Sequence, residues 1–386
     1  MIYLDNPATS MKKPSVVYDA MCRYTAAYSV NAGRGGHYAS IKGAEGIAAA
    51  QEELAELFNV KNPERIAFTQ NATYALNMAI GGLLTRSDHA VITSMEHNSV
   101  LRPVHRLCSY TIVEADRFGV ISPADIEAAI RPNTKLIITT HASNVCGTVM
   151  PVREIGEICR RHNIPYLVDA AQTAGIIPID VEDMNISLLA FSGHKGLMGP
   201  LGTGGLYVRE DVRLMPVISG GTGTDSMNKN QPDTMPDMLH SGTMNTPAIM
   251  TLGTAVRYIK QVGIKNIEEK ERSLAEYLFR ELNNIRGVRV YGLPSGNRNG
   301  TVAFNIGSLD SQEAADILNR DFGIATRGGY HCSYIAHQTL GTEKTGAVRV
   351  GFGFFSSRRE ADILLSAVNK TAAKNLQSAN SVQQNT

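Results

Sequence analysis

The 386-residue chain carries 37 Lys and Arg against 36 Asp and Glu, a formal net charge of +1, so no basic field draws it to nucleic acid or another polyanion. That length exceeds what one hydrophobic core usually organises and predicts two domains sharing a cleft. The five cysteines (Cys22, Cys108, Cys146, Cys159, Cys332) form no Cys-x-x-Cys pair, the start lacks a charged-then-apolar leader, and no apolar run is long enough to span a bilayer, which together point to reduced thiols, the cytoplasm and no membrane partner.

Along the chain, apolar runs bounded by turn signals alternate with helical patterns from about 43 to 209. Strands are predicted over 65–69, 90–94, 135–140, 165–169, 188–192 and 205–208, and helices over 43–58, 73–84, 123–130 and 152–162. This βαβ rhythm predicts an α/β fold with a large, mostly parallel sheet covered by helices, its function gathered in the loops at one edge. Residues 219–236, rich in Gly, Pro, Asp, Asn and Met, read as a long irregular excursion. A helical pattern from 247 to about 284, broken near Gly263, follows. Strand-like pieces at 288–291, 301–305 and 348–351, with helices at 312–320 and 358–370, then suggest a smaller α+β domain. From about 375 the chain has little to bury and reads as disordered.

The chemistry concentrates after two of these strands. Phe-Ser-Gly-His-Lys at 191–195 places Lys195 at the end of an apolar run, among small residues and beside Ser192 and His194. A lysine amine becomes a nucleophile toward an aldehyde when a partly dry site suppresses its charge. The run at 164–172 delivers Asp169 and Gln172 to a carboxyl end, the edge where open α/β sheets bind ligands. An acid there suits a protonated pyridine nitrogen, as in pyridoxal phosphate enzymes. A surface lysine and a helix-capping Asp remain the plain alternatives for these two residues taken singly.

With these motifs and others in order, the sequence resembles the aminotransferase class V family of fold-type I pyridoxal phosphate enzymes, and within it the SufS-type (group II) cysteine desulfurases. The others are Tyr-Leu-Asp-Asn-Pro-Ala-Thr-Ser at 3–10, Asn-Ala-Gly-Arg-Gly-Gly-His at 31–37, Phe-Thr-Gln-Asn-Ala-Thr at 68–73, Glu96-His97, Ser-Asn-Val-Cys-Gly-Thr at 143–148, Ser-Gly-Thr at 241–243, Arg-Gly-Gly-Tyr-His-Cys at 327–332 and Ala-Val-Arg at 347–349. The resemblance runs from Tyr3 to about Leu365. It implies an N-terminal segment over 1–15 packing with the small domain, a large cofactor-binding domain over 16–246, a small domain over 247–374 and a tail over 375–386.

It also implies pyridoxal 5′-phosphate as cofactor, with no metal. The phosphate would lie on the Ala72 N–H and Thr73 on one side and Ser192 and His194 on the other, at a helix start where the dipole favours an anion. Asn71, where many relatives have Gly, would make the tight turn because Asn tolerates positive φ. His97 would stack on the ring and move a proton, Gln172 would bond the ring hydroxyl, and Asn144 would lie near that hydroxyl and the substrate carboxylate. Arg349 would clamp that carboxylate, with Arg327 and Ala8 also on the substrate, and Thr243 would reach the phosphate of a partner subunit in a homodimer.

Cys332 ends a glycine-rich run that leaves room to present a thiol, with Arg327 and His331 expected to supply positive charge for its thiolate. The usual fate of a free cysteine, a small buried hydrophobe, is its alternative. The implied reaction takes L-cysteine to L-alanine, leaves a persulfide on Cys332 and passes the sulfur to an acceptor protein or reductant. Selenocysteine cleavage, transamination or β-elimination on the same cradle are the alternatives within the family, and a non-catalytic cofactor-binding scaffold is the alternative outside it. The absence of a longer loop around Cys332 favours the SufS-like branch, whereas residues 333–342 depart from its best-known pattern.

Overall fold

The computed structural model describes residues 1–224 and 226–384. In chain order the elements are β1 (Ile2–Tyr3), α1 (Ser15–Tyr28), α2 (Tyr38–Phe58), β2 (Ile66–Thr69), α3 (Ala72–Leu83), β3 (His89–Thr93), α4 (Asn98–Leu107), β4 (Ser109–Val113), α5 (Pro123–Ala128), β5 (Thr134–Thr140), α6 (Val152–Arg161), β6 (Tyr166–Asp169), β7 (Leu188–Ser192) and β8 (Gly204–Val208). Then follow α7 (Thr246–Val262), α8 (Ile264–Asn283), β9 (Val288–Tyr291), β10 (Thr301–Ile306), α9 (Ser311–Phe322), β11 (Ile324–Ala325), α10 (Tyr334–Thr339), β12 (Val348–Gly351) and α11 (Arg358–Gln384).

Seven strands form one sheet in the order β2-β8-β7-β6-β5-β3-β4, in which only β8 runs against the rest. Every residue of β3, β6, β7 and β8 is buried, because helices cover both faces. Alternation along the strands divides the apolar side chains: Ala90, Ile92, Leu188 and Ala190 join α3 and α4 in one cluster, whereas Val91, Leu189 and Phe191 meet Leu54, Phe58 and Leu252 in the other. The strands that run together bring Thr69, Thr93, Thr140, Asp169 and Ser192 to a single edge.

A separate core gathers α8, α9 and α11 around the antiparallel sheet β12-β10-β9, with Leu4 of the N-terminal segment inserted. That segment is tied to this part of the chain, since β1 pairs in parallel with β11. The helix break expected near Gly263 is present: φ is +87° there, between α7 and α8. Ile249, Leu252, Val256 and Ile259 of α7 pack in the large core, with α1 and α2 alongside. Ile267, Tyr291, Ala303 and Ala347, beyond Gly263, belong to the same core.

The stretch at 219–236 contains no helix or strand among its described residues. At the other end, α11 carries the expected tail as helix as far as Gln384, because its buried stripe of Ala361, Leu364, Val368 and Ala372 anchors the turns that follow. The expectation for 385–386 lies outside the described residues. No helix among the described residues is long and apolar enough to cross a membrane.

Candidate active site

The edge where the strands end opens into a cavity of about 270 Å³ lined by Ala72, Thr73, His97, Asn144, Asp169, Gln172, Ser192, His194 and Lys195, together with Asn71, Leu76, Ser99, Thr140 and Ala171. Local structure explains how each wall is built. Asn71 caps α3, its Oδ1 accepting from the Tyr74 N–H at 3.2 Å, so the start of α3 with Ala72 and Thr73 lines this edge. Its φ is −177°, plain extended backbone, so the expected positive-φ turn is absent and capping is what makes Asn suitable. The Ala72 N–H donates to Ser192 Oγ at 3.1 Å, and Thr73 Oγ1 lies 2.8 Å from Ser99 Oγ, which gathers anion-binding groups from both sides of the cavity.

His97 caps α4 by accepting the Ser99 N–H on Nδ1 at 3.0 Å, so the neutral ring carries its proton on Nε2. Burial, then the charges of Lys195 and Arg349, push it down to about 4. His194 sits with Nδ1 3.1 Å from Thr9 Oγ1 and is also held down to about 4, chiefly by burial. Asp169, 4% exposed, accepts the Ala171 N–H at 2.9 Å. Burial raises its proton affinity against the opposing pull of that N–H and of Lys195. Lys195 moves the other way: burial, with Arg349 and Arg327 adding, lowers it to about 8 although Asp169 resists. About a tenth of such amines are neutral at pH 7, against well under a thousandth for an ordinary lysine.

The carboxylate-binding groups stand beside this cavity. Arg349, 3% exposed, donates from Nη1 to the Asn144 carbonyl at 3.0 Å and from Nη2 to Asp5 Oδ1 at 2.9 Å, while its Nε has no partner. Arg327 Nε donates to the other oxygen of Asp5 at 3.1 Å. Asp5 thus holds both arginines, a role that nothing in its local sequence signals because the partners lie more than 300 positions away. Ala8 sits in the same N-terminal turn, its N–H donating to the Asp5 carbonyl. Gln172 Nε2 donates to the Pro7 carbonyl at 3.0 Å, fastening that turn to the sheet edge.

Cys332 is exposed on the loop before α10. His331 does not supply the positive charge expected beside it: the ring is 7% exposed and burial, then Arg349, drives it well below its ordinary value, so it is neutral. It stacks on His337, itself bonded to Thr342 Oγ1 at 2.8 Å. Arg349 interacts electrostatically with Cys332 and is a source of positive potential there. Cys22 is exposed as well, whereas Cys159, buried in α6, is pushed up to about 12 by burial. Thr243 is exposed and lies apart from the cavity, lining separate pockets with Met244 and Asn245.

Two further carboxyls are buried, Glu96 of the Glu96-His97 motif and Glu271. Glu96 Oε1 accepts from Thr93 Oγ1 and the Thr140 N–H at 2.6 and 2.9 Å, its Oε2 has no partner, and burial raises it to about 8. Glu271, 3% exposed on α8, lines an adjoining cavity that shares Gln172 and Lys195 with the first; burial raises it to about 8, opposed only by the charge of Lys270. The sequence marked neither burial: a Glu on a helix face, as Glu271 is, is ordinarily solvated, and Glu96 stands in the turn between β3 and α4.

The cavity residues fit pyridoxal 5′-phosphate on this chain's own chemistry. An amine of lowered pKa, a buried carboxylate and a cluster of anion donors at the start of α3 match its aldehyde, ring nitrogen and phosphate. The model of the aminotransferase class-V family matches residues 2–364. A probable cysteine desulfurase of Methanothermobacter thermautotrophicus is 35% identical over 94% of this chain and 92% of its own length, and a cysteine desulfurase of Haloferax volcanii is 32% identical over 96% and 89%. The apo structure of a cysteine desulfurase from Thermococcus onnurineus superposes with a TM-score of 0.90 at 32% identity, covering 97% of this chain and 95% of that one. The Escherichia coli cysteine desulfurase CsdA gives 0.82 at 25% identity over 95% and 94%.

Proposed function

The chain belongs to the aminotransferase class-V family, and from that membership we propose that it is a pyridoxal 5′-phosphate-dependent cysteine desulfurase in which Lys195, Asp169, His97 and Cys332 do the chemistry. The observation that carries the assignment is one cavity holding both the amine of lowered pKa and the buried carboxylate, with the Cys332 loop tied to its wall through Asn144. When bound, the cofactor supplies an electron sink for the bonds at Cα of the amino acid.

The remaining work falls to the protein. Ala72 N–H, Thr73, Ser192 and His194 would hold the phosphate; Asp169 would keep the ring nitrogen protonated, its burial strengthening such an ion pair. His97 would lie over the ring face and Gln172 would meet the ring hydroxyl, both lining this cavity. Arg349, with Arg327, binds the L-cysteine carboxylate, and Asn144 and Ala8 complete that end of the pocket. Lys195, its amine neutral at a useful fraction near pH 7, takes the Cα proton. The Cys332 thiolate attacks the substrate sulfur. Overall, L-cysteine and the Cys332 thiol become L-alanine and a Cys332 persulfide: the substrate C–S bond breaks, an S–S bond forms, and the thiol proton ends on carbon.

Exposure of Cys332 lets an acceptor protein or a reducing thiol collect the sulfur. Thr243 serves the phosphate of a second subunit in a homodimer, supported by its exposure away from this chain's own cavity and by exposed Leu201, Val217 and Ile218. The short path from Cys332 into α10, with no long loop, supports a SufS-like arrangement. Alanine formed from L-cysteine with a thiol reductant tests the proposal. The native protein should produce it and Cys332→Ala almost none; equal amounts from both would remove Cys332 from the reaction, and none from either would end the cysteine desulfurase assignment.

A further inference from the structure

The backbone that presents Cys332 is under tension. His331 and Cys332 are consecutive non-glycine residues with φ of 51° and 56°, in the left-handed region that L side chains rarely occupy. Such a pair persists only if its surroundings fix it. The Ser333 N–H closes the turn by donating to the Tyr330 carbonyl at 2.9 Å, and three more hydrogen bonds, all within one residue of the thiol, hold it from outside. The Asn98 N–H donates to the Cys332 carbonyl at 2.7 Å, Asn144 Nδ2 donates to the His331 carbonyl at 2.7 Å, and Ser333 Oγ donates to Asn144 Oδ1 at 2.7 Å.

Both ends of the Asn144 amide are therefore engaged by the residues on either side of Cys332. The same side chain lines the cofactor cavity, and its backbone carbonyl accepts from Arg349. Asn98 follows His97, which lines that cavity as well. The loop is thus pinned by groups that belong to the binding pocket; a carboxylate in the cavity that draws on Asn144 Nδ2 competes with the His331 carbonyl for that nitrogen, and turning the amide to meet it breaks the Ser333 bond to Oδ1.

We propose that Asn144 and Ser333 form a latch on the Cys332 loop, which an amino acid in the cavity opens by taking the Asn144 amide for its own carboxylate. With the latch shut the thiol stays on the solvent side. With it open the backbone at 331–332 relaxes out of the left-handed region and the thiol turns toward the substrate sulfur, so the nucleophile moves only when there is something to attack. Ser333 is a positioning residue in this scheme. The inference rests on the assignment of Cys332 as sulfur acceptor.

The test is hydrogen–deuterium exchange by mass spectrometry on the cofactor-loaded protein, following peptides that contain Asn98 and Ser333, with and without saturating L-alanine, which has no sulfur to give up. Native protein should exchange faster at both peptides when L-alanine is added. Ser333→Ala should exchange about threefold to tenfold faster without it, the span one lost hydrogen bond carries, and respond little further; Ser333→Thr, which keeps the hydroxyl, should behave as native. Native exchange rates in Ser333→Ala would overturn the latch. So would a Ser333→Ala protein that is faster yet still accelerated by L-alanine as much as the native one, since Ser333 would then be merely structural. Alanine formation from L-cysteine, measured on the same preparations, separates the two ideas: product with unresponsive exchange sinks the latch alone, whereas no product sinks the functional assignment.

Discussion

Glu271→Gln replaces a carboxyl that is 3% exposed with an amide of nearly the same shape that cannot ionise. In the folded protein burial raises this carboxyl from 4.5 to about 8, so the folded state holds its proton over a range where the unfolded chain has lost it. Stability from this group is therefore complete below pH 4.5, falls as pH rises and levels off above about 8. One pH unit is worth about 1.4 kcal/mol, so the native protein loses roughly 3 kcal/mol by pH 7 and at most about 5 kcal/mol above pH 8. The amide removes that loss. Urea unfolding followed by circular dichroism at several pH values, on native and variant side by side, reads it directly. The variant's advantage should be under about 1 kcal/mol at pH 5 and grow to about 4 kcal/mol at pH 8. Other groups that titrate in this range, Glu96 among them, cancel in the difference. An advantage that is equal at pH 5 and pH 8 would refute the argument, because it would mean that Glu271 ionises as easily folded as unfolded.

Lys195→Ala should abolish both turnover and the visible absorption of lysine-bound cofactor, and retained turnover would show that another amine serves. Iodoacetamide should label Cys332 rapidly at pH 8 and leave Cys159 untouched until the protein unfolds, since one is exposed and the other is buried with its thiol pushed up to about 12; peptide mapping distinguishes them. Asp5→Asn should raise the KM for L-cysteine about tenfold with a smaller change in kcat, because Arg349 loses the carboxylate that orients it. An unchanged KM would mean that Arg349 is aligned by the Asn144 carbonyl alone.

The central strands were legible because they are buried on both faces and read as uninterrupted apolar runs, as 188–192 does in β7, whereas β4, at the sheet edge and largely unburied, carries no such run; in the small sheet, 348–351 coincides with β12. Helix α4 escaped detection, its pattern interrupted by Pro103 and opened by a capping histidine. Two-residue pairings such as β1 with β11 carry no periodicity to detect. At the site, Lys195 and Asp169 announced themselves by following strands, and local position was enough. Asp5, Ser333 and Glu271 act through partners distant in sequence, or through burial that only the packed fold creates. His331 was misjudged for that same reason, since proximity to Cys332 in sequence suggested a charge that the stacked, buried ring does not carry.

The N-terminal ten residues set an order of events during synthesis. Ile2 and Tyr3 have no strand to pair with until Ile324 and Ala325 exist, and Asp5 waits for Arg327 and Arg349. A ribosome has therefore made nine-tenths of the 386 residues before the carboxylate-binding corner can close. Until then the large sheet with its lysine and aspartate can already be folded, so a growing chain is able to acquire its cofactor pocket long before it can hold an amino acid there.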